Sequence, residues 1–109
     1  MAAAGESDMA TAFKSFRDFY PFYLAEHRHP VCRRLHFIGS ACVLVCVALA
    51  IVTLNAWWLA VALLAGYGCA WVGHFFFERN QPATFTHPIY SFVGDWVMFK
   101  DVLTGKVTL

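Results

Sequence analysis

The sequence predicts an all-α integral membrane fold: a two-pass transmembrane helical hairpin flanked by amphipathic interfacial helices. Three observations carry this. Hydrophobic residues make up 60% of the chain and charged residues only 14%, against roughly 45–50% and about 25% in ordinary soluble domains. Not one Asp, Glu, Lys or Arg occurs in the 43 residues from Leu35 to Phe77, a stretch that would be costly to leave in water. That stretch is broken once, at Asn55, the only strongly polar residue between the apolar runs Phe37 to Leu54 and Ala56 to Phe77.

At 109 residues the chain reads as one membrane domain with no room for a separate cofactor domain. Residues 1–10 are small and polar with two acids, a flexible N-terminus that lacks the basic and apolar regions of a cleavable signal. Interfacial helices are expected over 11–34. There Phe13, Phe16, Tyr20 and Tyr23 recur at three- and four-residue spacing with Lys14, Arg17 and Asp18 between them, the pattern of an aromatic face lying in the membrane interface. Pro21 is expected to kink or restart this helix, and Pro30 to end the helical pattern before the first span.

Transmembrane helices are expected over 35–54 and 56–78. Each is just long enough, since twenty residues rise about 30 Å, close to the hydrocarbon thickness of a bilayer. Gly66, Gly68 and Gly73 read as close-approach positions between the two. Five Lys and Arg residues precede the hairpin and three follow it, which places both termini in the cytoplasm, in a bacterial inner membrane or the endoplasmic reticulum. Asn80-Gln81-Pro82 breaks the second helix. A C-terminal amphipathic helix over 87–104 then starts at Thr86-His87-Pro88 and stops at Gly105, with Ile89, Phe92, Trp96, Phe99 and Leu103 on one apolar stripe.

The net charge of +1, with acids and bases interleaved, excludes a nucleic-acid-binding surface. The four cysteines form no CxxC pair, and three of them lie in the apolar span as small hydrophobes. The five histidines are more informative. His36 lies 19 residues before Asn55 and His74 lies 19 residues after it, so the hairpin brings both to one depth. His27 and His87 flank the hairpin on the same side, converging four imidazoles from four segments. Glu78 is four residues from His74, and His87, Ser91 and Asp95 follow one another at four-residue steps. A single interfacial histidine is usually only hydrogen-bonded, but a group of ionisable residues at membrane depth points to function. We therefore take His27, His36, His74 and His87 as metal ligands, with Glu78 and Asp95 as catalytic acids that ligate or orient them. Such a set suits iron, zinc or copper, and the lack of converging thiolates argues against an iron–sulfur cluster. His29, beside Pro30, reads as a surface residue.

The segments Phe19-Tyr20-Pro21-Phe22-Tyr23-Leu24-Ala25-Glu26-His27, Arg33-Arg34-Leu35-His36-Phe37-Ile38-Gly39 and Gly73-His74-Phe75-Phe76-Phe77-Glu78-Arg79-Asn80-Gln81-Pro82-Ala83 resemble a family of small membrane proteins. Its characterised member is the fungal endoplasmic-reticulum 2-hydroxy fatty acid dioxygenase. The resemblance runs from Phe13 to Gly105. It implies an Fe(2+)-dependent enzyme that shortens a 2-hydroxy fatty acid by one carbon, consuming dioxygen and releasing carbon dioxide. On the same resemblance His27, His36 and His74 match the family's histidines, Glu78 matches its acid, and His87 matches one variety of the family. The expected partners are a 2-hydroxy fatty acid, dioxygen and the lipid bilayer, with a homo-oligomer left open. Two other classes fit the residues alone: a heme-binding membrane protein with two axial histidines, and a non-enzymatic scaffold or lipid-binding hairpin.

Overall fold

The computed structural model describes residues 13–109, so the N-terminus expected to be flexible over 1–10 lies outside the described residues. Helix α1 spans Phe16–Ala25 and is capped by Ser15, whose hydroxyl accepts the Asp18 N–H. It runs through Pro21 without the expected restart. The hydrogen bond that proline forfeits is offset by burial, because Phe19 and Tyr23, one turn apart, have no exposed surface. The aromatic face is turned inward rather than toward an interface. Phe13, Phe16, Phe19 and Tyr90 pack ring against ring, with Met98, Val102 and Val107 completing this cluster against the last helix.

Helix α2 spans Pro30–Thr53, five residues earlier than expected. Pro30 opens it instead of ending the preceding pattern. At the first position of a helix the missing N–H would be unpaired anyway, and His29 caps the turn by accepting the Val31 N–H at Nδ1. At the far end Leu54 takes a left-handed conformation and Asn55 Oδ1 accepts the Trp57 N–H, making the turn where the sequence placed it. Helix α3 spans Trp57–Val72 and continues as a π-helical segment, Gly73–Glu78. Both arms are long and apolar enough to cross a membrane.

The arms pack through small residues. A side chain at Gly39 would meet Cys69 and the carbonyls of Ala65 and Gly66, and one at Gly73 would meet Cys32. Gly68, also expected at the contact, faces open space. After a 3-10 turn at Ala83–Phe85, helix α4 spans Pro88–Leu103 and Gly105 follows with positive φ, as expected. Ser91, Gly94, Met98 and Asp101 face inward, and Gly94 lets the Tyr23 ring lie against α4. On the apolar stripe Ile89, Phe92 and Leu103 are exposed.

Candidate metal centre

His36 comes from the second turn of α2, His74 from the π-helical end of α3, and His27 from the link between α1 and α2. All three are buried, His27 and His74 almost completely. Their Nε2 atoms face one another, His27 standing 3.1 Å from His36 and 2.9 Å from His74.

The opposite nitrogen of each ring fixes which tautomer is present. His27 Nδ1 donates to the Tyr23 carbonyl at 2.6 Å, and His36 Nδ1 to the Cys32 carbonyl at 3.0 Å. His74 Nδ1 is 2.7 Å from Asn80 Oδ1. The Asn80 amide cannot be flipped, because its Nδ2 donates to the Glu26 carbonyl at 3.1 Å and to Glu26 Oε2 at 3.0 Å, and neither can donate in return. All three rings therefore carry the proton on Nδ1 and direct an Nε2 lone pair at one point. Burial, together with the neighbouring His36 and His74, also holds His27 well below the usual imidazole pKa, so it is neutral at physiological pH. Three converging lone pairs with no proton among them repel unless a cation lies between them, and that is the donor chemistry of a transition-metal site.

Local structure explains the convergence. The π winding and the left-handed Arg79 after it turn the chain so that Asn80 comes back beside His74, whose carbonyl accepts the Asn80 N–H. The Tyr23 ring stacks on His27 at 4.1 Å, and its hydroxyl donates a short bond to Asp95. Arg33 Nε donates to the His27 carbonyl at 2.6 Å, holding the link against α2.

Four donors lie within 4.8 Å of one another: His27, His36, His74 and Cys32. Cys32 was not expected among them. It sits four residues before His36, on the same helix face, which is the signal that was there to be read. One thiol still falls short of the set an iron–sulfur cluster needs.

The remaining expected residues are not among the converging donors. His87 is not in the cluster; its ring packs 5.3 Å from those of Phe13 and Phe19, and its Nδ1 is 2.9 Å from Thr86 Oγ1. Glu78 accepts the backbone N–H of His29 in a short bond. It stands close enough to His74 and Cys32 for its charge to act on both, but its carboxylate is engaged by that N–H and is not among the converging donors. Asp95 reaches the neighbourhood without joining the donors. It accepts from Tyr23 and, with His36 and His74, lines a slot between the hairpin and α4.

The family described as 2-hydroxy-palmitic acid dioxygenase Mpo1-like matches residues 13–107. The chain belongs to that family. The match takes in α1 through α4, and so every donor and every residue that orients one. No curated protein and no solved structure matches the chain. The Mpo1-like name fits the resemblance read from the sequence, and the centre described above is what this member offers a metal ion.

Proposed function

We propose that the protein is an iron(II)-dependent dioxygenase that shortens 2-hydroxy fatty acids by one carbon, with carbon dioxide released, at a membrane interface. The observation that carries this is the trio of Nδ1-protonated histidines with converging Nε2 atoms, in a chain whose family is named for a dioxygenase of 2-hydroxy-palmitic acid. Imidazole donors suit iron and zinc alike; iron is preferred because the family is named for a dioxygenase, chemistry that redox-inert zinc would not supply.

His27, His36 and His74 would hold the ion, and Tyr23, Cys32 and Asn80 would keep the rings aimed through Nδ1. Iron(II), when bound there, would supply the activation of dioxygen. Tyr23, stacked on His27 and bonded to Asp95, closes the α1 side of the site against water. Asp95 stands at the mouth of the slot, where it can hold a proton; burial, partly opposed by the Tyr23 hydrogen bond, pushes its carboxyl up to about 6.

The membrane placement rests on what the helices leave uncovered. Only 17% of each apolar window in the hairpin is buried, and Leu44, Val45, Ile51, Val52, Leu63, Leu64 and Phe76 point outward. A core helix of a soluble domain would be covered. These uncovered faces support a hairpin that lies in lipid with the histidines at one face.

The test is to supply purified, iron-loaded protein with a 2-hydroxy fatty acid and dioxygen. The proposal expects an acid one carbon shorter, in step with oxygen uptake, and no product under anaerobic conditions. Stoichiometric iron with no turnover of any 2-hydroxy acid would overturn it.

A further inference from the structure

The geometry points to a seat for the acyl tail: the slot between the hairpin and α4 holds it, and Ala70 and Ala62 set how long a tail it takes. This rests on the reading of a membrane-embedded enzyme for 2-hydroxy fatty acids, and it adds where the tail lies and what measures it.

The slot has two chemically distinct ends. At one end are His36 and His74 with Asp95, Ser91 and Thr84. The Ser91 and Thr84 hydroxyls are bonded to each other at 3.2 Å, so this end is polar and ordered without being charged throughout. Away from it the lining becomes apolar. Ala62, Gly66 and Ala70 lead to His74 at four-residue steps on one face of α3, a trough without bulky side chains, walled by Val43 of α2 and Phe92 of α4. Its volume is about 130 Å³, so it takes one edge of a tail rather than enclosing it. Leu63, Tyr67 and Phe92, all substantially exposed, form the lip through which a tail enters sideways from hydrocarbon.

Depth identifies the occupant. At 1.5 Å per residue, Ala70 lies about 6 Å and Ala62 about 18 Å from His74 along the helix. One leaflet of a bilayer is about 15 Å of hydrocarbon. The trough therefore runs from the histidine face to just past mid-membrane, the length of one lipid acyl chain. An amphiphile with its carboxylate at the histidines and its tail in line with neighbouring lipids fits both ends, whereas a polar metabolite would leave the apolar end empty.

Trp71 and Trp96 line the slot and serve as reporters. In a Trp57→Phe, Trp58→Phe background, chain-brominated fatty acid should quench their fluorescence saturably, and unlabelled 2-hydroxy acids of sixteen, twelve and eight carbons should displace it. Ala62→Phe should weaken the sixteen-carbon acid about tenfold, roughly 1.4 kcal/mol, and leave the eight-carbon acid within about twofold. Ala70→Phe should weaken all three acids, since even an eight-carbon tail reaches beyond a residue about 6 Å from His74. Because Ala62 is buried, Leu63→Phe, on an exposed position at the same depth, gives an independent plug with the same expected bias and adds no fluorophore to the tryptophan signal. Quenching that never saturates, or losses equal for all three lengths in every plugged variant, would overturn the assignment. Graded binding without turnover would sink the oxygenase reading and keep the slot. Turnover with no length grading in the variants would do the reverse.

Discussion

Asn80 gives the sharpest test of how the histidines are held. Its Oδ1 fixes the Nδ1–H of His74 at 2.7 Å while its Nδ2 is held by two Glu26 oxygens at 3.0 and 3.1 Å. Asn80→Ala removes all three bonds and leaves the His74 ring free to rotate or change tautomer. Loss of such an orienting partner typically weakens metal binding about 10- to 100-fold, or roughly 1.4 to 2.8 kcal/mol. The two lost bonds to Glu26 should cost roughly another 1 to 3 kcal/mol of stability, since each net bond contributes about 0.5–1.5 kcal/mol. Asn80→Asp separates the two effects. Its carboxylate still accepts from His74, so metal affinity should stay within about threefold of wild type by the same reasoning. It loses the donor toward Glu26 and sets two carboxylates about 3 Å apart, so thermal stability should fall. The assay is competition for zinc(II) against a chromophoric chelator, with melting followed separately. Wild-type affinity in Asn80→Ala, or equal loss of affinity in both variants, would refute the tautomer argument.

Two further predictions concern packing and charge. Gly73→Ala should lower the melting temperature, because the added methyl would lie 3.0 Å from Cys32 Sγ and 3.1 Å from its Cα, a backbone atom that cannot yield; overpacking of this kind costs about 1–3 kcal/mol. Gly68→Ala, with nothing within 4 Å, should leave melting unchanged or raise it slightly, and equal losses in both would contradict the packing described. Asp95 has its carboxyl raised from 3.8 to about 6, mainly by burial, with the Tyr23 bond opposing. A raised acid binds its proton more tightly folded than unfolded, so its contribution is complete below pH of about 4 and lost as pH climbs through about 6. Asp95→Asn should flatten that part of the melting profile and raise stability at pH 7 by up to about 3 kcal/mol, an upper bound for a shift of this size. A profile over pH 4–6 unchanged by the substitution would contradict this.

Much of this arrangement was legible in the sequence, and the parts that were not share a cause. The hairpin could be read because uncharged length and one polar break determine it. The meeting of His36 and His74 followed by counting from Asn55, since rise along a straight helix converts number into depth. Counting fails once the chain leaves a straight helix. His87 lies beyond a left-handed residue, a proline and a 3-10 turn, and the path sets its ring among phenylalanines instead of with the other histidines. Glu78 does come near His74, as its spacing of four suggested, but its bond to the His29 N–H depends on where the link before α2 passes, which spacing along one helix does not show. Asn80 read as a helix breaker, which it is, but its hold on His74 depends on where the broken chain returns. Pro30 carried two meanings, an end or a first turn, and the cap from His29 decided between them.

We propose that His27, His36 and His74 together hold one metal ion. The most direct measurement is elemental analysis of detergent-purified protein prepared without chelators, wild type beside His27→Ala, His36→Ala, His74→Ala and His87→Ala, each shown to be folded by circular dichroism. About one iron per chain is expected in the wild type and in His87→Ala, with loss of the metal in each of the other three. Metal that survives any two of those three substitutions, or a folded wild type that retains none, would contradict it.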